Sequence, residues 1–569
     1  MLDTRQVAAL LQEYGERSAL RGGNPYRARA YRRAAENLVT LTEPLAEIIE
    51  NDQLRSIPGV GHAIADIITT LAHKGTHPSL EKLRRETPAG LLAIAAIPGL
   101  RTDQIVKLRN LLGIKTISQL EQAVREGRVA KQKGLGAALE RKILNGLAIK
   151  KQSAGKRHIH RAALLLEAAK QRIERGRLEL SRVTVAGDLR RGCELIGNMA
   201  LVAVGPVKKV ESVASGGDIT LLISPAERFG AALLFGTGSA AHLEQLRDRA
   251  AAKKLALTEN GLMSGKKTIA ARTEREIYAA LGLQYIEPEL REGEAEIALA
   301  AKRRLPKLVS DTDIRGILHV HTDQSDGTNT LEEMTQGAVD RGYQYLGLSD
   351  HSKSAHYAGG LSLEQIKAQA REVVRLNRRY GNKAFRIFHG IESDILADGS
   401  LDYPPSILRE FDFVIASVHS QFRKDRKSQT GRIVKAVLNP YTTILGHMTG
   451  RQLLRRPGYE ADVEEILKAC ARRGVVVEIN ANPWRLDIDW RWHRLALELG
   501  CMMSINPDAH SVGEIDLTHW GVEMARKGGV PKERVLNCLP LDEFARYLQR
   551  GRNNKPPTAS RTISGRNWR

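Results

Sequence analysis

The period of the hydrophobic positions changes along the 569 residues of the chain. To about residue 150 apolar side chains recur at helical spacing, interrupted by short Gly-containing turns, which predicts a helical region. Around residues 155–222 the pattern shifts to short β-like runs, Arg182–Val183–Thr184–Val185–Ala186 and Ile219–Thr220–Leu221–Leu222–Ile223. Helix-like and mixed segments follow to about residue 300, and Ala301–Lys302–Arg303–Arg304–Leu305–Pro306–Lys307 reads as a basic linker. From residue 313 onward apolar runs alternate with helical stretches such as 363–379 and 463–473, which predicts βα units around a parallel sheet or barrel. The end, 551–569, is rich in Arg, Asn, Pro and Ser and reads as a basic disordered tail.

Six of the apolar runs in the second half end in His, Asp or Glu. They are Ile317–Leu318–His319–Val320–His321, Leu346–Gly347–Leu348–Ser349–Asp350–His351, Ile387–Phe388–His389–Gly390–Ile391–Glu392, Val414–Ile415–Ala416–Ser417–Val418–His419, Ile444–Leu445–Gly446–His447 and Ser504–Ile505–Asn506–Pro507–Asp508–Ala509–His510. Strands ending in ligand-type residues are how a barrel gathers a metal cluster at one mouth. His319 and His321, two apart, should project from one strand face, with Leu318 and Val320 on the other. Ser325–Asp326–Gly327 then closes a turn and adds a carboxylate. Mixed imidazole and carboxylate ligands suit Mn²⁺, Zn²⁺ or Fe²⁺ better than Mg²⁺ or Ca²⁺.

Length and charge extend this picture. A chain this long exceeds one core, so several domains are expected. Its 87 Lys and Arg against 65 Asp and Glu leave +22, which favours polyanionic partners. Cys193, Cys470, Cys501 and Cys538 form no C-x-x-C pair and no disulfide framework. No run approaches the roughly 18 apolar residues of a membrane helix, and no signal peptide is read at Met1–Leu2–Asp3, so a cytoplasmic, nucleoid-associated protein is expected.

Ile57–Pro58–Gly59–Val60–Gly61 opens a helical segment and offers backbone N–H groups to a phosphate. Similar units recur at Ile97–Pro98–Gly99–Leu100–Arg101 and Lys133–Gly134–Leu135–Gly136, with Arg101 where a second Gly is expected. The three resemble helix-hairpin-helix units, which grip the DNA backbone without reading sequence. Gly59, Val60, Gly61, Gly99, Arg101, Gly134 and Gly136 are the candidate DNA contacts.

Ala186–Gly187–Asp188–Leu189–Arg190–Arg191–Gly192 resembles the Gly-Ser-x-Arg-Arg-Gly signature of family X DNA polymerases, and the likeness extends to Thr237–Gly238–Ser239 and Pro288–Glu289–Leu290–Arg291–Glu292. The resemblance implies three aspartates holding two Mg²⁺ ions, two of them spaced Asp-x-Asp. The paired positions here read Asn198–Met199–Ala200, and the third is Asp218. Asp188 stands where the family has Ser, and Leu243 where it has a nucleotide-contacting Asn. Gly187, Asp188, Arg191, Asn198, Ala200 and Asp218 therefore read as a degenerate polymerase site, without Mg²⁺ and with polymerisation lost or severely impaired. Other acids, such as Glu194 or Glu211, are the alternative metal ligands.

The His-x-His…Ser-Asp-Gly pattern resembles the polymerase-and-histidinol-phosphatase (PHP) domain of metal-dependent phosphoesterases. That resemblance implies a distorted (β/α)7 barrel and nine ligands around up to three metals: His319, His321, Asp326, His351, Glu392, His419, His447, Asp508 and His510. It implies His319, His321, Glu392 and Asp508 at one metal, a bridging Glu392 with His419 and His447 at a second, and Asp326, His351 and His510 at a third. Arg451 and Asn480 are weaker candidates for substrate contact, and His356 and His389 read as structural or supporting.

Taken in order, the segments resemble the bacterial family X DNA polymerase with a C-terminal PHP domain. The fold class expected is multidomain α+β and α/β. Residues 1–150 form the helix-hairpin-helix region, 151–235 a nucleotidyltransferase-like palm, 236–300 a thumb, 301–312 the linker and 313–550 the PHP barrel. The function expected is a DNA-repair phosphoesterase and 3′–5′ exonuclease, with abasic-site endonuclease or 3′-phosphatase activity also implied. It would act, as a monomer, on gapped, nicked or 3′-recessed DNA with Mn²⁺ or Zn²⁺, Fe²⁺ being a further candidate. The alternatives are an active gap-filling polymerase with a PHP exonuclease, and a small-molecule phosphatase of the histidinol-phosphate type.

Overall fold

The computed structural model describes residues 1–22, 24–41, 43–214, 218–381 and 384–553. The chain divides into two compact units, residues 1–304 with 452–456, and residues 305–451 with 457–569.

In the first unit, helices Thr4–Leu20, Pro25–Val39 and His62–Lys74 close around Leu11, Tyr31, Leu38, Ile68 and Leu71, and a second core around Ile94, Ile105, Leu108, Leu120 and Ile143 follows. The predicted strands form within Ser181–Ala186 and Ile219–Ser224. Between them lies Met199–Val204, and the sheet runs 181–186, 199–204, 219–224, 211–214, with 199–204 parallel to 219–224. The region read as mixed holds a three-stranded antiparallel sheet, Ala256–Thr258, Gly261–Ser264 and Lys267–Ala270. Its strands are three or four residues long, too short for their alternation to stand out in the sequence.

The second unit is a nearly closed barrel of seven parallel strands: Gly316–Val320, Tyr345–Leu348, Arg386–Asp394, Phe413–Ser417, Ile444–Leu445, Val476–Asn480 and Met503–Asn506. Strands buried on both faces read as near-continuous apolar runs, which is why six of them stood out. Val476–Asn480 was not among those six. Ala509 and the first strand exchange hydrogen bonds across the seam, His321 N–H to Ala509 O at 2.9 Å and Ala509 N–H to His319 O at 3.2 Å. Leu318, Tyr345, Phe388, Phe413, Ile415, Ile444 and Val476 meet Phe544 and Leu548 of the last helix, Leu541–Asn553, in one cluster. The Phe544 ring stacks on Tyr345 at 4.3 Å.

Three expectations need correction. The alternation predicted for the first strand breaks: Ile317 and Val320 share a core under the outer helices, whereas Leu318 belongs to the interior cluster. His319 takes φ +60°, and the register with the second strand shifts between Ile317 and Val320. This local kink turns His319 toward the same interior as His321, where strict alternation would have set Leu318 and Val320 together. The linker also ends early, because Val309 is buried and its N–H donates to Val530 O at 3.1 Å. Finally, the last helix continues through Asn553, into the segment read as tail; the rest of that tail, 554–569, lies outside the described residues.

Candidate metal centre

Every one of the nine side chains singled out in the barrel comes to its mouth, at or just beyond the C-terminal ends of the strands. Glu392 lies at the centre, fully buried. Its Oε1 is 3.2 Å from His319 Nε2, 3.3 Å from His419 Nε2 and 3.0 Å from His447 Nε2, and its Oε2 is 2.9 Å from His351 Nδ1. Asp508 Oδ1 lies 3.5 Å from His319 Nε2 and 3.3 Å from His321 Nε2. Asp326 Oδ1 is 3.5 Å from His351 Nε2, 3.3 Å from His510 Nε2 and 3.9 Å from His321 Nδ1. Four overlapping groups have ligand atoms within 4.8 Å of one another: His321–Asp326–His351–His510, His319–His321–Asp508, His319–Glu392–His447 and His351–Glu392–His419. His321 thus stands between two groups that the family resemblance had kept apart. Its pKa falls to about 3, by burial first and then by His510 and His351, so its ring is neutral, as a metal ligand must be.

Two carboxylates not singled out in the sequence set the tautomers. Glu478 Oε1 lies 2.5 Å from His319 Nδ1, and Asp394 Oδ1 lies 2.6 Å from His419 Nδ1. A carboxylate only accepts, so each Nδ1 carries a hydrogen, and it is Nε2 of each ring that faces Glu392. In the buried centre, His319 Nε2, both ring nitrogens of His321 and Glu392 Oε2 are left without a hydrogen-bond partner. A divalent cation satisfies such a set, and the donors fit one. The sequence did carry a signal for both carboxylates. Glu478 is the lone charge in Val475–Val476–Val477–Glu478–Ile479, and Asp394 follows Glu392 by two on one strand.

The weaker candidates have other duties. The Arg451 guanidinium donates to Asp489 at 2.6 Å and to the carbonyls of Arg485 and Leu486, bracing a loop. Asn480 Nδ2 bridges Glu478 and Asp508, at 3.2 and 3.1 Å. His389 is buried with Nε2 3.0 Å from Gln369 Oε1, whereas His356 is exposed in a 3₁₀ turn.

The polymerase-like segment is built differently. Gly187 takes φ +67°, and a Cβ there would come within 2.4 Å of Asn198 O. Asp188 Oδ2 accepts the N–H groups of Gly197 and Asn198, at 2.9 and 2.7 Å, and Oδ1 accepts from Arg191 at 2.7 Å. Its charge is thereby compensated from within. Arg191 also donates to Thr237 O at 2.7 Å. Ala200 packs with Ala186, Val202 and Phe229 in an apolar cluster. Asp218 is exposed and pairs with Arg157 at 2.7 Å. Among the described residues, the groups of three or more His, Cys, Asp or Glu able to hold a metal are all in the barrel, so Glu194 and Glu211 complete no such group.

The three Gly-containing turns each lead into a helix. Gly59 has φ +82° and Gly61 caps His62–Lys74; Gly99 has φ +83° and Arg101 caps Thr102–Leu112; Gly134 and Gly136 have φ +90° and +83°, and Gly136 caps Ala137–Gln152. The Val60 side chain is buried, so it can offer a phosphate only its backbone. The Arg101 side chain pairs with Asp103 at 2.9 Å.

Residues 3–77 match the helix-hairpin-helix domain, 232–292 the DNA polymerase beta thumb and 318–482 the PHP domain. A protein of Bacillus subtilis (strain 168) named DNA polymerase/3′-5′ exonuclease PolX is 31% identical over 575 residues, covering 96% of this chain and 99% of its own. Proteins named probable phosphatase, from Thermoanaerobacter sp. (strain X514) and Vibrio parahaemolyticus, are each 27% identical and cover 43% and 42% of this chain, and 95% of their own. No helix among the described residues is long and apolar enough to cross a membrane. With one relative matched from end to end and the barrel matched again by itself, the chain belongs to the bacterial family X DNA polymerase/3′–5′ exonucleases that carry a PHP domain.

Proposed function

We propose that the chain is a DNA-repair enzyme of this family whose barrel hydrolyses phosphodiesters at DNA 3′ ends, with abasic-site or 3′-phosphate cleavage as related uses of the same centre. The observation that carries this reading is the convergence of His319, His321, Asp326, His351, Glu392, His419, His447, Asp508 and His510, several of whose buried ligand atoms have no hydrogen-bond partner. These nine would hold up to three ions, Mn²⁺ or Zn²⁺ with Fe²⁺ as a further candidate. When bound, such ions supply Lewis acidity toward a phosphate ester and water reactive at neutral pH. The protein's own part is to fix the ligands by Glu478 and Asp394, to keep the centre dry, and to leave Asp326 and His510 partly open to an entering phosphate.

The substrate is proposed to be gapped, nicked or 3′-recessed DNA, held by the turns at 59–61, 99–101 and 134–136, in a monomer of the cytoplasm and nucleoid. Residues 1–150, 151–235, 236–300 and 313–550 would then be the DNA-binding, palm, thumb and barrel domains. A barrel working as a histidinol-phosphate-type phosphatase would leave the helix-hairpin-helix region without a use. Comparing turnover of histidinol phosphate with that of a 3′-recessed duplex separates the two.

Two observations pull apart on polymerisation. The relative matched over nearly the whole chain is named for both activities, which backs an active gap-filling polymerase beside the exonuclease better than it backs a loss. The second reading, impaired polymerisation, rests on Asn198 and the apolar burial of Ala200 where an Asp-x-Asp pair would stand. Primer extension on gapped DNA with Mg²⁺ and then Mn²⁺ decides: incorporation above background supports both activities, and none supports the exonuclease alone.

A further inference from the structure

Glu478 is wholly buried in the strand Val476–Asn480, and three of its four hydrogen bonds lead to the metal centre. Its Oε1 accepts from His319 Nδ1 at 2.5 Å and from Asn506 Nδ2 at 2.8 Å. Its Oε2 accepts from the backbone N–H of His447 at 2.7 Å and from Asn480 Nδ2 at 3.2 Å. The same Asn480 amide reaches Asp508 Oδ2 at 3.1 Å. One carboxylate thus braces a ligand ring, a ligand backbone and, through Asn480, a ligand carboxylate, drawn from three other strands.

We infer that Glu478 is a positioning residue for cations held between His319, Asp508, Glu392 and His447, fixing the geometry of those ligands together without itself touching Asp326, His351 or His510. This inference rests on the reading of the barrel as a metal centre and adds an internal division to it. Both oxygens of Glu478 face only donors. A glutamine there turns its NH₂ toward two donors whichever way it lies, so Glu478→Gln breaks the brace although its size is kept. His319 would lose the partner that fixes its tautomer and the anion that strengthens it as a ligand. No contact of Glu478 reaches Asp326, His351 or His510.

The test is a Mn²⁺ titration of the metal-stripped full chain, wild type, Glu478→Gln and Glu478→Asp, following free Mn²⁺ by its paramagnetic resonance alongside hydrolysis of a 3′-recessed duplex. The expected result is two classes of site in the wild type. In Glu478→Gln one class should weaken by about 10- to 100-fold, the usual effect of removing such a partner, with the other class unchanged. Retention of one class within the same folded chain is what a general loss of structure would not give. Should Glu478→Gln fail to fold, Glu478→Asp, which keeps the charge but withdraws it by one methylene, carries the same comparison. Wild-type affinity at both classes in a folded variant, or equal weakening of both, overturns the inference alone. A wild type that binds no Mn²⁺ overturns the reading of the barrel and this inference with it.

Discussion

At the scale of single residues, the centre depends on side chains held where the backbone is least comfortable. His319 and Asp508 both take left-handed φ, +60° and +53°, beside the seam that closes the barrel. Non-glycine residues pay for that conformation by about 1–2 kcal/mol each, and here it turns both ligands inward. His321→Ala or Asp508→Ala should therefore lower hydrolysis on the order of a thousandfold, about 4 kcal/mol in barrier, while leaving DNA affinity within error. Gel-shift and end-labelled digestion on the same preparations check it, and unchanged cleavage in both variants would put the chemistry elsewhere. Asp218→Ala should leave hydrolysis unchanged, since Asp218 is exposed and paired with Arg157; a drop in nucleotide incorporation would mean that the polymerase centre works. That the nine barrel side chains would gather at one mouth was legible because each lies at the end of an apolar run or in an adjoining turn. The kink at His319 was not, because a period of two has no term for one left-handed residue. Glu478 and Asp394 carried a fainter signal, a lone charge in an apolar run and an i+2 partner of Glu392, which does not tell a bracing carboxylate from a ligand.

At the scale of elements, the Gly-containing turns and the thumb make opposite demands on their side chains. Gly61 has ordinary φ, and a Cβ there meets nothing within 4 Å. Gly61→Ala should thus leave the melting temperature unchanged but obstruct the approach of a phosphate to the helix N-terminus. Losing about one net hydrogen bond predicts roughly fivefold weaker DNA binding by fluorescence anisotropy. Unaltered affinity would remove that turn from the interface. In the thumb, Glu274 is buried against Arg190 and Arg291. Burial alone would raise its pKa, but the two guanidinium groups outweigh it and hold the carboxyl at about 2. A depressed folded-state pKa means stability that is full above the unfolded value of about 4.5 and lost as pH falls through about 2, roughly 3 kcal/mol in all. Glu274→Gln should reduce stability at pH 7 by a comparable amount and flatten that acid limb in urea titrations; an unchanged limb would show that the pair is not a stabilising contact. The helices of the first third were readable from their period. The short thumb strands and the closing role of the last helix were not, since three- or four-residue strands and a plug at the barrel base show only once the sheet is assembled.

For the whole molecule, 87 basic residues against 65 acidic ones favour a polyanionic partner. If about three to five phosphates are neutralised, the slope of log K against log salt should be about −3 to −5, largely the same for different sequences. The barrel's hydrolysis of a mononucleotide ester should not follow that slope, because the metal centre lies within the barrel unit. The central claim is that the barrel's nine imidazole and carboxylate ligands hold the cations that cut DNA. Its most direct test is digestion of a 3′-recessed duplex by the metal-stripped chain as Mn²⁺ is returned, with bound metal counted in the same samples. The account predicts no cleavage at zero metal and cleavage rising as the sites fill, with neither in His321→Ala at matching Mn²⁺. Cleavage by the stripped wild type, or full binding without cleavage, would contradict it.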